Sequence, residues 1–248
     1  YEPYKLNLID NAVGIGTAGY TGAKDHSTDK FEYVIDTDSH GANATQYITL
    51  EGYQFKDNSA ATYNEAAPHA EAWAGRTKVG HTVENNTLKV TGGTINTAAY
   101  GGVVENHKLD AHGNPLPTGD AEKNTVAISG GTVANAYGAE VRTKDGNATE
   151  NTAEITGGNV GSVYGASLAA ANATGTADKS KVNISGSANI TGDVYGGHIA
   201  QANATGTITN SEVNISGGTV NGSVYGGKNE GTESATGGTL SISGGNVG

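Results

Sequence analysis

The segment that decides the fold is Thr152-Ala-Glu-Ile-Thr-Gly-Gly-Asn-Val-Gly-Ser-Val-Tyr-Gly165. Its first half alternates polar residues with the apolar residues Ala153 and Ile155. A period of two is typical of a β-strand with one buried face. The Gly-Gly pair then permits a sharp bend, and a second strand follows with Val160 and Val163 as its inward residues. The segment therefore predicts two strands joined by a glycine bend, with another bend after the tyrosine.

This unit recurs along the chain. The first glycine of each bend falls at residues 92, 130, 157, 186, 217 and 244, which gives steps of 38, 27, 29, 31 and 27 residues. A Tyr-Gly pair follows each of the first five bends. The remainder of each unit varies in length, is rich in Ala, Asn, Thr and Gly, and is interpreted as a loop. Self-similarity at such a period is the signature of a repeat architecture.

Stacking explains how so small a unit can fold. One unit carries only two to four apolar side chains, which it cannot bury alone, whereas stacked units pair each strand with its copy about 4.8 Å away. The resulting core is thin and needs no aromatic side chains, in agreement with 2 Phe and 1 Trp in 248 residues. We therefore predict an all-β chain that forms a parallel β-solenoid with repeats of about 27–38 residues.

Residues 1–80 follow the pattern poorly. Strands are legible at 5–9, 31–35 and 46–50, and we interpret this part as irregular β coils with an N-terminal cap, because terminal units of solenoids are atypical. A separate small β domain is the alternative. Residues 81–248 are assigned to the solenoid repeats. Because the chain stops inside a repeat, we expect it to be a fragment truncated at the C-terminus.

Composition excludes several classes of protein. The net charge of −11 argues against nucleic acid as a partner, since such proteins need a basic patch. The absence of cysteine excludes a disulfide framework and thiolate metal sites, and it suits export through an oxidising periplasm. No segment approaches eighteen consecutive apolar residues, so no membrane-spanning helix is predicted. The ordered apolar pattern argues against disorder despite a mean hydropathy of −0.41.

No catalytic motif is present in the sequence. It contains no Gly-x-Ser-x-Gly elbow, no phosphate-binding loop, no His-Glu-x-x-His and no run of the calcium-binding nonapeptide. One group of acidic and histidine residues has no metal-site spacing and is interpreted as a solvated turn region; its members are Asp25, His26, Asp29, Asp36, Asp38 and His40. We therefore expect no enzyme activity, no cofactor and no metal.

The tyrosines of the repeat form the most regular candidate for a binding surface: Tyr100, Tyr137, Tyr164, Tyr195 and Tyr225. Aligned rings could contact sugars or a protein. Alternatively, they pack on one another at a corner of the solenoid, and we favour this interpretation because every unit has the tyrosine whatever its loop. The variable loops are expected to project from one side and to make any contact with a partner; they are 102–122, 139–149, 166–178, 197–209 and 227–237.

The units with Ile215-Ser-Gly-Gly-Thr-Val220 and Val224-Tyr-Gly-Gly227 resemble passenger domains of type V secreted autotransporters, above all large adhesins of oral and gut Gram-negative anaerobes. The resemblance covers about residues 83–248. It implies a right-handed parallel β-helix, outside the cell at the outer membrane. It also implies a membrane anchor, a C-terminal β-barrel that we do not expect within these residues. The implied role is adhesion in virulence, with a host-cell or bacterial surface protein or glycan as partner.

Three functions remain open. The first is a surface adhesin or its stalk, which the variable loops and the lack of catalytic motifs favour. The second is a carbohydrate-active β-helix enzyme, which requires an acidic face assembled from several units. The third is an ice-binding or matrix-forming solenoid, which requires a flat face of Thr-x-Thr rows.

Overall fold

The structure is a computed structural model in which the described residues form strands and connections without a helix. It describes the backbone of residues 30–37 and 48–56, and describes residues 61–64, 68–77, 82–105 and 119–248 with their side chains. The strands before the repeats are β1 (Lys30–Thr37), β2 (Ile48–Lys56), β3 (Thr62–Tyr63) and β4 (His69–Thr77).

Six turns of a solenoid follow, each built from a short first strand, a second strand and a longer third strand. In the later turns the third strand is divided or joined to the second. The strands are β5 (Val83–Glu84), β6 (Thr87–Val90), β7 (Thr94–Val104), β8 (Ala121–Glu122), β9 (Thr125–Ile128), β10 (Thr132–Val141), β11 (Ala148–Thr149), β12 (Thr152–Ile155), β13 (Asn159–Leu168), β14 (Thr176–Asp178), β15 (Lys181–Ile184), β16 (Asn189–Ile190), β17 (Val194–Ile199), β18 (Thr207–Thr209), β19 (Glu212–Val220), β20 (Val224–Asn229), β21 (Ala235–Thr236) and β22 (Thr239–Val247).

Each strand of a turn pairs in parallel with its counterpart in the next turn. The first strands of the turns, together with β1 and β2, form an eight-stranded sheet in the order β1-β2-β5-β8-β11-β14-β18-β21. The second and third strands, together with β3 and β4, form a fourteen-stranded sheet. At the N-terminal end, β1 and β2 are antiparallel, and Lys56 of β2 pairs with Glu84 of β5. The predicted all-β parallel β-solenoid is confirmed.

The register places like side chains above one another inside the solenoid. Ile128, Ile155, Ile184 and Ile215 occupy equivalent positions in the second strands, and all four are buried. One core cluster lies between the second strands and the first half of the third strands. Another lies between the first strands and the last residues of the third strands. The cross-section therefore has two apolar lobes.

One expectation about the core is wrong at its N-terminal end. Tyr63 of β3 is fully buried in the first lobe, and its hydroxyl donates to the carbonyl oxygen of Thr94 at 2.8 Å. An aromatic ring fits there because β3 and β4 form the first incomplete turn of the stack. The remaining interior positions are filled by Ala, Val, Leu and Ile, as predicted.

The expected projecting loops are also corrected. The short first strands, such as β14, lie within the segments predicted as loops, and they pair in register like the others. The connections before them are stacked as well: the amide of Thr205 donates to the carbonyl of Ala173 at 2.9 Å. Ala173 and Ala204 are buried in the second lobe. In the predicted loops 139–149, 166–178, 197–209 and 227–237, these connections therefore form part of the wall of the solenoid and do not project from it. Residues 106–118 of the predicted loop 102–122 lie outside the described residues.

Candidate functional site

The repeated tyrosines lie outside both apolar lobes, on the outer side of the third strands. Val163 points into the first lobe and Tyr164, the next residue, points outward, as alternation along a strand requires. The register aligns the five tyrosines across five turns, and Trp73 of β4 occupies the same position one turn earlier. We call the row the tyrosine strip: Tyr100, Tyr137, Tyr164, Tyr195 and Tyr225.

A close approach between backbones explains the glycine after each tyrosine. A Cβ on Gly138 would lie 2.7 Å from the backbone nitrogen and carbon of Thr152 and 2.4 Å from the carbonyl oxygen of Gly165. Here the third strand crosses the corner between the first and second strands, which divides the core into its two lobes. The Tyr-Gly motif thus combines an outward ring with a contact that admits no side chain.

The rings of the tyrosine strip stack face to face. Neighbouring centroids lie 5.2, 4.5, 4.9 and 5.3 Å apart, with interplanar angles from 5° to 20°. Burial raises the pKa of Tyr137, which stays protonated at neutral pH. Because each inner ring covers the faces of its neighbours, only ring edges and hydroxyl groups can reach the surface. They do so at Tyr137, Tyr164 and Tyr225, which are partly exposed, whereas Tyr100 is 2% and Tyr195 6% exposed. Stacking of a sugar on the inner ring faces, one chemistry considered from the sequence, is not available in this arrangement.

Polar side chains flank the strip on both sides. Two residues before the tyrosine, successive turns carry Asn135, Ser162, Asp193 and Ser223. Three residues after it, they carry Glu140, Ser167, His198 and Lys228, which the register aligns. The strip is therefore bordered by hydrogen-bonding groups from the turn of Tyr137 onward, whereas Ala98 and Val103 occupy the two flanking positions beside Tyr100.

Three glutamates converge at the N-terminal end of the strip. Arg142 donates to Glu140 at 2.7 Å, and its guanidinium lies 3.8 Å from a carboxylate oxygen of Glu71 and 3.6 Å from one of Glu105. Arg76 pairs with Glu105 at 2.7 Å. We call this set the glutamate–arginine cluster: Glu71, Arg76, Glu105, Glu140 and Arg142.

The cluster is joined to the first ring of the strip. Nη2 of Arg142 donates to the hydroxyl of Tyr100 at 2.6 Å, and that hydroxyl lies 3.5 Å from Oε1 of Glu71. Arg142 also lies over the ring of Tyr100, 5.4 Å from its centroid. Burial raises the pKa of Glu140, although Arg142 acts in the opposite direction. A carboxyl group with a raised pKa beside a more exposed one, here Glu71, is an arrangement seen in acid–base catalysis.

A different polar group lies at the other end of the strip. The hydroxyl of Tyr195 donates to Asp193 at 2.9 Å, and the ring of His198 stacks on Tyr195 with 4.6 Å between centroids. Burial lowers the pKa of His198 to about 4, so the imidazole is neutral at pH 7. Lys228 lies over the ring of Tyr225, 5.0 Å from its centroid, and pairs with Glu230 at 2.7 Å.

Sequence reasoning missed a buried row of asparagines at the corner between the first and second strands. Nδ2 of Asn86 donates to Oδ1 of Asn124 at 2.9 Å, and Nδ2 of Asn124 donates to Oδ1 of Asn151 at 3.0 Å. Ser180 and Ser211 continue the row in later turns, and all five residues are fully buried. The Asn-Thr pair that recurs at residues 86–87, 124–125 and 151–152, where three second strands begin, is the sequence signal for this row. We call this row the asparagine ladder, and its role is structural.

The acidic and histidine group from Asp25 to His40 cannot be assessed, because its side chains lie outside the described residues. Where side chains are described, no set of three or more His, Asp or Glu residues is arranged to hold a metal ion. The described part of the chain also has no helix long and apolar enough to cross a membrane. Searches of family models, curated proteins and solved structures found no match to this chain.

Proposed function

We propose that this chain is part of a surface adhesin, a rod whose tyrosine strip binds a ligand on a host or bacterial surface. The observation that carries the proposal is the outward, in-register alignment of Tyr100, Tyr137, Tyr164, Tyr195 and Tyr225. The two lobes of the core are filled by aliphatic side chains without these rings. The rings therefore lie outside the two lobes, where Tyr137, Tyr164 and Tyr225 are partly exposed and neighbouring side chains cover Tyr100 and Tyr195.

The opposite outer face of the rod has a different character. The second strands there carry Lys89, Ala127, Glu154, Asn183 and Asn214 at one aligned outward position. Ice binding requires threonine to be repeated in successive turns. The aligned row of Thr94, Thr132 and Thr219 is interrupted by Asn159 and Asn189, which favours the adhesin over the ice-binding or matrix-forming hypothesis. The Gly-rich repeats agree with an autotransporter passenger, and we place the protein outside the cell at a Gram-negative outer membrane.

A cell-binding assay tests the proposal. Purified wild type and a Tyr164→Ala variant are compared for binding to host epithelial cells and to bacterial cells. Thr156→Ala, on the exposed face of the second strand, is the matched control. We expect Tyr164→Ala to reduce binding at least about tenfold, because a central anchor of a contact surface contributes 2 kcal/mol or more. Equal binding by all three folded proteins would contradict the role of the strip, and no binding by the folded wild type would make the chain a stalk.

The glutamate–arginine cluster gives support to a second function, cleavage of a glycan. Glu71, Glu105 and Glu140 come from three successive turns and meet on one face. In this hypothesis Glu140 is the general acid, and Glu71, the most exposed of the three, is the base or nucleophile. Release of reducing ends from polysaccharides by wild type, and its loss in Glu140→Gln, would establish this function over simple adhesion.

A further inference from the structure

We propose that the ligand of the tyrosine strip is a neutral linear polysaccharide that lies along the axis of the rod, with one sugar in contact with each turn. This inference rests on the proposed function, because it names the ligand of the same surface. Its basis is the match between the repeat of the strip and the repeat of such a polymer.

The strip has a short and constant period. Its rings follow one another at 4.5 to 5.3 Å, which is the spacing of paired strands. Four steps of about 4.8 Å make the strip about 20 Å long. A pyranose in an extended β-1,4-linked chain advances by nearly the same distance. A chain laid along the axis therefore meets one turn with each successive sugar. It contacts a partly exposed ring at Tyr137, Tyr164 and Tyr225, and the side chains that cover the ring at Tyr100 and Tyr195.

The chemistry of the strip also suits sugars. From Tyr137 onward, each ring edge is bordered by a side chain that can donate or accept hydrogen bonds, such as Asn135, Ser162 and Asp193 on one side and His198 and Lys228 on the other. Sugar hydroxyl groups need such hydrogen-bonding partners, while the C–H groups of the sugar contact apolar surface, and small-molecule sites usually combine the two. The neutral imidazole of His198 can accept a hydrogen bond as well as donate one.

Peptide ligands suit this surface less well. An added β-strand needs free backbone amides at a sheet edge, whereas the third strands along the strip already pair with neighbours on both sides. An amphipathic helix needs an apolar groove, and the strip is instead bordered by charged and polar groups. The backbone and side chains together therefore favour a ligand that binds through hydroxyl groups.

The charges along the strip favour a neutral glycan over a sulfated or uronate-containing one. The cationic groups are Arg76, Arg142 and Lys228, and each has a carboxylate within 2.7 Å. The carboxylates outnumber these cations; they are Glu71, Glu105, Glu140, Asp193 and Glu230. A polyanion would therefore meet net negative charge at the two ends of the strip.

Calorimetry with oligosaccharides of defined length tests the inference. The probes are β-1,4-linked glucose, N-acetylglucosamine and mannose oligomers, from disaccharide to octasaccharide, with heparin fragments as the anionic comparison. For at least one neutral series, we expect affinity to rise at least about tenfold from disaccharide to pentasaccharide and then to level off, since the strip spans five turns. Tyr164→Ala should remove most of this gain and Thr156→Ala none of it. Tyr164→Phe keeps the stack and tests the hydroxyl alone, with a smaller expected loss.

Two results would overturn the inference. One is the absence of binding by every neutral series while cell binding still depends on Tyr164, which leaves the adhesin proposal standing with another ligand class. The other is affinity that does not change with chain length or is higher for heparin. If the folded wild type bound neither oligosaccharides nor cells, the adhesin proposal would be contradicted as well.

Discussion

Nδ2 of Asn124 donates to Oδ1 of Asn151 in the next turn at 3.0 Å, and also to the carbonyl oxygen of Val83 at 2.8 Å. Both asparagine side chains are fully buried at the corner where the third strand crosses between the two lobes. The amide therefore joins three turns through one interior side chain. Buried polar groups of this kind stabilise a fold only when every partner is present.

Asn124→Ala is expected to destabilise the protein by about 2 to 4 kcal/mol, because it removes several buried hydrogen bonds together. Denaturant unfolding followed by circular dichroism measures the change. Asn135→Ala is the control, since that side chain makes a hydrogen bond to Thr97 on the exposed surface, and its effect should stay within about 0.5 kcal/mol. Equal losses in both variants would mean that the ladder has no special role.

Gly138→Ala tests the close approach of backbones at the Tyr-Gly bend. The added methyl group would overlap the backbone of Thr152, so we expect a loss of about 3 kcal/mol in the free energy of unfolding. Gly238→Ala is the matched control because its nearest neighbour atoms are 3.3 Å from the added carbon. A Gly138→Ala protein as stable as wild type would show that the bend needs no glycine.

The sequence predicted the second strands and the stacking well, and for a clear reason. Those strands are four residues long and carry two inward residues, as Val126 and Ile128 in β9, which is enough to show a period of two. The first strands have a single inward residue, such as Ala148 or Ala177, and no period can be seen in one residue. For that reason they were predicted as loops.

The glutamate–arginine cluster could not be predicted, because its members occupy different positions of the repeat. Glu71 lies two residues before Trp73, Glu105 lies five residues after Tyr100, and Glu140 lies three residues after Tyr137. Only the register of successive turns brings them to one guanidinium. The outward direction of the tyrosines, in contrast, follows from alternation beside an inward residue.

Ala173→Asp tests whether the connections belong to the wall of the solenoid. Ala173 is 1% exposed in the second lobe, so a carboxylate there should cost about 3 kcal/mol or more. Ala171→Asp, two residues earlier and exposed, should change stability by less than about 0.5 kcal/mol. Thermal unfolding of the two variants gives the answer, and a tolerated Ala173→Asp would restore the interpretation as a projecting loop.

Glu140→Gln should make the protein more stable at pH 7 and leave its stability unchanged below about pH 4. Burial raises the folded-state pKa of Glu140, so the folded state carries a penalty for the charged carboxylate above that pKa. The penalty disappears as the pH falls and the group is protonated in both states. Denaturant unfolding across this pH range measures the difference, and a Gln variant that is less stable at pH 7 would mean that the pair with Arg142 outweighs burial.

His198 should give the opposite pH dependence. Its folded-state pKa of about 4 lies below the usual value near 6.5, so its contribution to stability is present above pH 6.5 and is lost as the pH falls toward 4. Glu230 raises the pKa and Lys228 lowers it, and neither offsets burial. His198→Gln should flatten this part of the stability profile. An unchanged slope would show that the imidazole is solvated when charged.

The most direct test of the tyrosine strip as the binding surface uses the absence of cysteine from the chain. Ser223→Cys, beside Tyr225 on the strip, and Ser129→Cys, exposed on the other face, each introduce a unique thiol. Both variants are coupled to a polyethylene glycol maleimide, and cell binding is compared before and after coupling. We expect the label at residue 223 to abolish binding and the label at residue 129 to leave it intact. Binding that survives the label at residue 223 but is lost with the label at residue 129 would contradict the assignment of the strip.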